Sequence, residues 1–349
     1  MKYYLIYISF FITINSSGQT STFDKIQLQE IKNKIGNNTL VALGEYEHGF
    51  ESINEIKSNF VNFLQSDMNF QAIAFESSFT ESIISFLNND SLIKRTSQFL
   101  YPFWNTKSVN NSLKSFYEAE KFNDKPLIVG FDIQEDCRYE SLSKYLTTKN
   151  IVIINRGKLI ESDLILAEYI GTKRSKNAKM QNETYLNLLN NYEQIQNEIL
   201  TSNLKTLERK LLGRSIQNRM WLLKLLTFSN FEDKMYFRDS LMAANIVWYR
   251  NEIYYDNKFI IWAANQHLFK SVNKNKSTWT GEWLSKEYSI NFFGVSFQKS
   301  RIGNTNNAKE LSIKYKSKSN EKFDLVVGMQ ELIKISSLEW ITNCEQNNR

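Results

Sequence analysis

The sequence predicts an α/β fold with a mostly parallel central sheet flanked by helices and a helical insertion. Three observations lead there. Short apolar runs of strand length recur at residues 40–43, 70–75, 127–131 and 259–263. They lack polar alternation, as strands covered on both faces of a parallel sheet do. Between them lie longer segments with apolar residues at three- and four-residue spacing, the period of an amphipathic helix. Finally, Glu45, Glu76 and Asp132 each stand just past the end of one of these runs. In open α/β sheets that is where ligands bind.

The elements follow in order. Phe23, Ile26, Leu28 and Ile31, spaced among charges, predict a first helix over 23–35. Residues 40–43 are a buried strand. Ile53, Ile56, Phe60, Val61 and Leu64 mark the next helix, and 70–75 the second strand. Helices are expected over 83–87 and 113–122, then a third strand over 127–131. The segment 158–232 is rich in Leu, Asn, Lys and Glu and poor in strand-like runs. It reads as several helices, either a helical hairpin inserted in the sheet domain or long crossover helices of that domain. A helix over 235–249, a strand over 259–263, a short helix over 283–288 and late strands over 290–297 and 323–327 complete the pattern. There is no fixed-period repeat.

A chain of 349 residues can bury a substantial core. With 12 Gly and 2 Pro it is not collagen-like or linker-rich. The formal charge is +6 and the pI about 9.0. Lysines alternate with acids and form no basic block or nucleic-acid module, so no nucleic-acid partner is expected. Lys2, the apolar run 3–14 and the polar exit 15–18 read as a secretory signal, with a buried N-terminal strand as the alternative. Cleavage near Gly18 and Gln19 would leave a domain over 19–349 in the periplasm or outside the cell. The apolar run is too short for a permanent span, and no cysteine follows it to carry a lipid. No stable membrane anchor is expected. Cys137 and Cys344 can bridge in an oxidising compartment or remain free thiols.

The chemistry gathers at Gly44-Glu45-Tyr46-Glu47-His48-Gly49. His48 is one of 2 histidines in the chain. A histidine near neutral pKa takes a proton from water or an alcohol, and a nearby carboxylate fixes its tautomer. Glu45 lies three residues away, close enough to meet it in a turn. A hydrogen-bonded structural histidine is the plainer alternative. Glu76 ends an apolar run, so it is either a partly buried catalytic carboxylate or an acid at a helix start capped by Ser77, Ser78 or Thr80. His267 follows the strand at 259–263 and is either catalytic or a loop cap. The Gly-x-Ser-x-Gly elbow fails at Gln298, and P-loop, Rossmann and His-Glu-x-x-His fingerprints are absent.

The 44–49 stretch resembles the Gly-Glu-x-x-His-Gly motif of the erythromycin esterase family. Further segments are similar to the family's in its own order: Lys57 on the following helix, Phe70 to Glu76, Trp104-Asn105-Thr106, Gly130-Phe131-Asp132-Ile133-Gln134, Arg238-Asp239 with Met242-Ala243, and Trp262-Ala263-Ala264-Asn265-Gln266-His267. The resemblance runs from about residue 40 to 298. It implies an α/β fold shared with a haem-binding lipoprotein group and with membrane-tethered metalloproteases. It also implies an ester hydrolase acting on a small molecule, a macrolide lactone, with no cofactor. His48 would be the general base that activates water, and Glu45 would orient His48 or that water. Glu76 would be a second carboxylate in the cleft, and His267 a donor to the oxyanion or leaving alkoxide. Lys57 would balance the acids or contact the substrate, and Trp104, Asn105, Asp132 and Asn265 would line the substrate pocket. Glu45, His48, Glu76 and His267 could alternatively ligate a divalent ion. Haem binding through Tyr46 and the histidines is a further alternative. Two positions depart from the family: Ala264 replaces a histidine of the late segment, and Ala244 an acid before Asn245.

Overall fold

The computed structural model describes residues 23–134, 140–173, 180–255, 257–270, 278–299, 312–315 and 322–329. The signal segment 1–18, Cys137 and Cys344 lie outside them. Helix α1 (Lys25–Ile35) leads into β1 (Leu40–Glu45), α2 (Glu51–Met68), β2 (Phe70–Ser78), α3 (Phe79–Leu87), α4 (Leu92–Phe99), α5 (Lys107–Asn123) and β3 (Ile128–Asp132). Among the described residues five α-helices follow before the next strand, α6 (Ser141–Thr148), α7 (Arg156–Lys173), α8 (Asn182–Thr201), α9 (Thr206–Thr227) and α10 (Phe231–Trp248), the last continued by a π-helical stretch at Tyr249–Tyr254. Then come β4 (Lys258–Ala264), helical turns at Asn265–Leu268, Thr280–Glu282 and Trp283–Glu287, and the strands β5 (Phe293–Lys299), β6 (Ser312–Tyr315) and β7 (Leu325–Met329).

The sheet has the order β3-β2-β4-β1-β5-β7-β6. All pairings are parallel except β6 with β7. This is the mostly parallel sheet that the unbroken apolar runs predict. Helices α4 and α6 and strand β6 are additions to the sequence reading. Strands also run further than their apolar cores. Glu45 is the last residue of β1, paired with Ala264 and Phe297, and Glu76 lies inside β2. A ladder is made by backbone groups, so polar side chains do not end it.

Local signals set the helix ends. Asp24 caps α1 with Gln27 as its reciprocal partner, and Thr106 caps α5. Asn69 and Asp124 take left-handed backbone at φ 59° and 50° and stop α2 and α5. The main core wraps the sheet, with Phe60, Phe75, Trp104, Met242 and Trp262 among its buried side chains. A second cluster joins α6, α7, α8 and α9 through Leu146, Leu159, Tyr192, Ile195 and Leu223. These helices thus share an apolar cluster apart from the main core, which Ile84, Ile133 and Leu241 join, and α10 returns the chain to the sheet.

Candidate active site

The order β3-β2-β4-β1 brings the carboxyl ends of four parallel strands side by side. These ends carry Asp132, Glu76, the Ala264–His267 segment and Glu45. The paired ends are in register, with Glu45 opposite Ala264 and Ser78 opposite Asp132. Neighbouring strands lie about 4.8 Å apart, so the four ends form one ledge.

On β1, Glu45 is buried at 2% exposure. Its Oε1 accepts from His48 Nδ1 at 2.6 Å and from Trp104 Nε1 at 2.6 Å, and its Oε2 accepts from Lys57 Nζ at 2.7 Å. Burial opposes its ionisation, but Lys57 and His48 together hold its carboxyl below the usual range. Lys57 is fully buried, 4.1 Å from the centre of the Trp262 ring. Burial lowers its pKa to about 8, although Glu45 and Glu76 both work to raise it. His48 is the open member, its side chain 39% exposed. Its ring stacks on Phe103 at 4.4 Å and meets Trp104 edge-on at 5.5 Å. With Nδ1 held by the carboxylate, Nε2 is left as the basic nitrogen.

A second acid–histidine pair is assembled from more distant parts of the chain. Glu76 sits where the β2–β3 register shifts between Phe75 and Ser78, a bulge that re-aims its side chain. Gly130 allows that bulge, because a Cβ there would lie 2.4 Å from Ser77 O and 2.3 Å from Ser78 O. Glu76 Oε2 accepts from Ala264 N at 2.9 Å, and Oε1 accepts from Arg238 Nη2 at 3.1 Å and lies 3.1 Å from His267 Nε2. Arg238 also forks onto Asp132, with Nε at 3.0 Å from Oδ1. The other ring nitrogen of His267 is 2.8 Å from Asp239 Oδ1, which also accepts from Thr280 N and Oγ1.

Burial disfavours the charged form of His267, but Glu76 and Asp239 outweigh it and push its pKa up to about 10. Glu76 is held far below the carboxylate range, because His267, Arg238 and the Ala264 N–H outweigh its burial. Both ring nitrogens of His267 therefore carry protons and donate, one to each acid. Arg238 Nη1, 3.5 Å from Nε2, is a neighbouring cation that shares Glu76 and not a donor to the ring.

These contacts revise several sequence expectations. Lys57, Trp104 and Asp132 are fully buried. Lys57 takes the charge-balancing one of its two expected roles by holding Glu45, while Trp104 and Asp132, instead of lining a pocket, hold Glu45 and Arg238. His267 is buried and fully engaged, so it has no proton placed to give an alkoxide. The Asn105 side-chain carbonyl accepts from Asn110 Nδ2 at 2.8 Å. Asn265 is on the ledge, where Nδ2 donates to Ser296 Oγ at 2.8 Å. It packs so closely on β1 that a Cβ at Gly44 would lie 2.2 Å from Asn265 Oδ1. The metal set Glu45, His48, Glu76 and His267 divides into two pairs, each closed by its own cation, Lys57 or Arg238. Among the described residues no group of three or more His, Cys, Asp or Glu is arranged to hold a metal ion. Of the haem candidates, Tyr46 is 63% exposed and His267 is enclosed. Arg238, Asp239 and Thr280 were not assigned site roles from the sequence. For the first two the signal was present, as the Arg-Asp pair on a helix that matches the family pattern.

Fold and site together define a mostly parallel α/β protein with two acid–histidine pairs at adjoining strand ends. The erythromycin esterase family model matches residues 66–314, most of the chain, and the protein belongs to that family. Glu76, Asp132, Arg238 and His267 fall inside the match, while Glu45, His48 and Lys57 precede it. The Bacillus subtilis (strain 168) protein YbfO, which bears the name of a hydrolase, is 23% identical over 273 residues. That alignment takes in 72% of this chain and 61% of YbfO, so the chain spans under two thirds of its relative. A Bacillus cereus protein of known structure superposes with TM-score 0.65 at 15% identity, over 91% of this chain and 96% of its own. The erythromycin esterase EreC, in an open conformation, gives TM-score 0.60 at 16% identity, over 92% and 83%. These structural likenesses establish a shared fold.

Proposed function

We propose that the protein is a hydrolase that cleaves an ester by general-base activation of water, with His48 as the base. One observation carries this reading: an exposed imidazole is anchored by its Nδ1 to a buried glutamate at a strand end. A water at His48 Nε2 loses a proton to the ring as its oxygen attacks the ester carbonyl. Glu45 accepts the Nδ1–H and stabilises the imidazolium. The tetrahedral adduct then collapses, expelling the alkoxide, which takes a proton from the imidazolium or from solvent. Lys57 and Trp104 fix Glu45 and touch no substrate. His267 serves as a fixed cation that holds Glu76 and, through it, the Ala264 backbone at the end of β4.

Family membership and the name of YbfO support the hydrolase class. The family resemblance extends the reading to a macrolide lactone as substrate, and the 1–18 segment to export into the periplasm or beyond. The test is to incubate the protein with a macrolide panel and simple aryl esters and to follow addition of water by mass spectrometry. His48→Gln should reduce turnover by about 10²-fold or more while leaving thermal unfolding in place. Hydrolysis at the wild-type rate in that variant would overturn the role of His48. Absence of water addition across the whole panel would overturn the ester class.

A further inference from the structure

A helix on the outside of a globular protein turns one apolar stripe to the core and polar residues to solvent. The inner face of α7 conforms, with Leu159 and Leu166 buried. Its outer face does not. Ile160 and Leu164, one turn apart on that face, are 41% and 51% exposed. Just ahead of the helix, Val152 and Ile154 are 86% and 88% exposed. Exposed aliphatic side chains gathered in this way mark a contact surface. Gly157 lies on the same face, and a Cβ there would meet nothing within 4 Å. No packing within the chain calls for a glycine at that position, whereas a second backbone approaching closely would.

The order of residues along the face selects the partner. Arg156, Ile160, Leu164 and Glu168 are all exposed and recur every four residues, so they form one row on the helix. The row is about 18 Å long, basic at one end, aliphatic in the middle and acidic at the other. It is symmetric about residue 162. Arg156 and Glu168 lie six positions to either side, Gly157 and Ala167 five, and Ile160 and Leu164 two. At 3.6 residues per turn the row also drifts around the helix, so Arg156 and Glu168 stand on opposite flanks of the face. A two-fold axis normal to α7 at residue 162 therefore lays Arg156 against Glu168 of a second copy. The same rotation sets Ile160 against Leu164 and Gly157 against Ala167. An isologous contact requires such self-complementarity. A membrane surface would instead favour basic residues around the apolar face, and here one end is acidic.

We infer that the outer face of α7 docks a second copy of this chain, with the two α7 helices antiparallel across a two-fold axis. The aliphatic pairs supply attraction, and the charged pairs at the rim fix register and orientation more than affinity. The test is sedimentation equilibrium of the full chain, with circular dichroism to verify the fold of each variant. Wild type should be dimeric at about 100 μM. Leu164→Glu should weaken association at least tenfold. Arg156→Glu and Glu168→Arg should each do the same, because each sets like charges against each other twice in the two-fold contact. The double reversal Arg156→Glu with Glu168→Arg restores both pairs and should return the dissociation constant to the wild-type value. Substitution at these exposed positions leaves the core intact, and the rescue is a result that mere unfolding would not give. Whether the chain hydrolyses esters has no bearing on these constants. A monomeric wild type at that concentration, a dimer indifferent to every variant, or a double reversal no tighter than the single ones would overturn the proposal.

Discussion

Glu45 is buried under three donors, and Lys57 is the one that brings a compensating charge from within the core. Removing one member of a buried ion pair strands the other, which typically costs about 3–5 kcal/mol. Lys57→Met should therefore destabilise the protein by that order in urea denaturation. It should also leave burial less opposed, so that Glu45 is harder to ionise. The acid limb of the pH–activity profile should follow the Glu45 carboxyl to higher pH. An unmoved acid limb in a folded Lys57→Met variant would rule out Lys57 as the group that keeps Glu45 ionised. At this scale the local half of the site was legible. Glu45, His48 and Lys57 lie within 12 positions, and a strand end, a turn and a helix period are enough to bring them together. The other half was not. Arg238 reaches Asp132 across 106 positions and Glu76 across 162, distances over which no periodicity operates.

Among the elements, the strand ends decide what the site can do, and β2 is the least regular of them. Its bulge at Glu76 requires β3 to carry a residue without a side chain where the Ser77 and Ser78 carbonyls press in, and Gly130 is that residue. Gly130→Ala would place a methyl well inside van der Waals distance of two backbone oxygens, which cannot swing away as a side chain would. Overpacking of this kind costs about 1–3 kcal/mol, and the backbone contact puts this case at the upper end. The bulge should flatten, turning Glu76 away from Arg238 and His267. Turnover and stability should fall together, and a variant with wild-type stability would show that the bulge is not held by this contact. Apolar runs disclosed the parallel strands because burial on both faces leaves a compositional trace. They did not disclose the bulge, whose cause lies in the neighbouring strand. Nor did they disclose β6, a short antiparallel strand at the sheet edge. Helix α4 escaped for a related reason, since its buried Arg95 and Thr96 read as polar surface.

Across the whole molecule, the buried charges at the ledge make stability a function of pH with a readable sign. Glu45 and Glu76 have folded pKa values below their ordinary 4.5, so their contribution is present above that pH and is lost as pH falls through the depressed values. His267 has the opposite sense. Its folded pKa of about 10 exceeds its ordinary 6.5, so its contribution is complete below pH 6.5 and is lost as pH rises towards 10. Lys57 partly offsets that loss at the alkaline end. It releases its proton near pH 8 in the folded chain and near 10.5 in the unfolded one, so stability gains between those values. From pH 6.5 to 8 only the His267 slope acts among these four groups. Stability should fall there by at most about 1.4 kcal/mol per pH unit, the limit for one proton, and should level above pH 8 as Lys57 begins to compensate. His267→Gln keeps a side chain able to hydrogen-bond Glu76 and Asp239 but cannot titrate, so its stability should be lower at pH 6.5 and flatter up to pH 8. Urea denaturation of both proteins at closely spaced pH values measures the two slopes. If they are equal, His267 is not the buried cation that holds the second half of the site together.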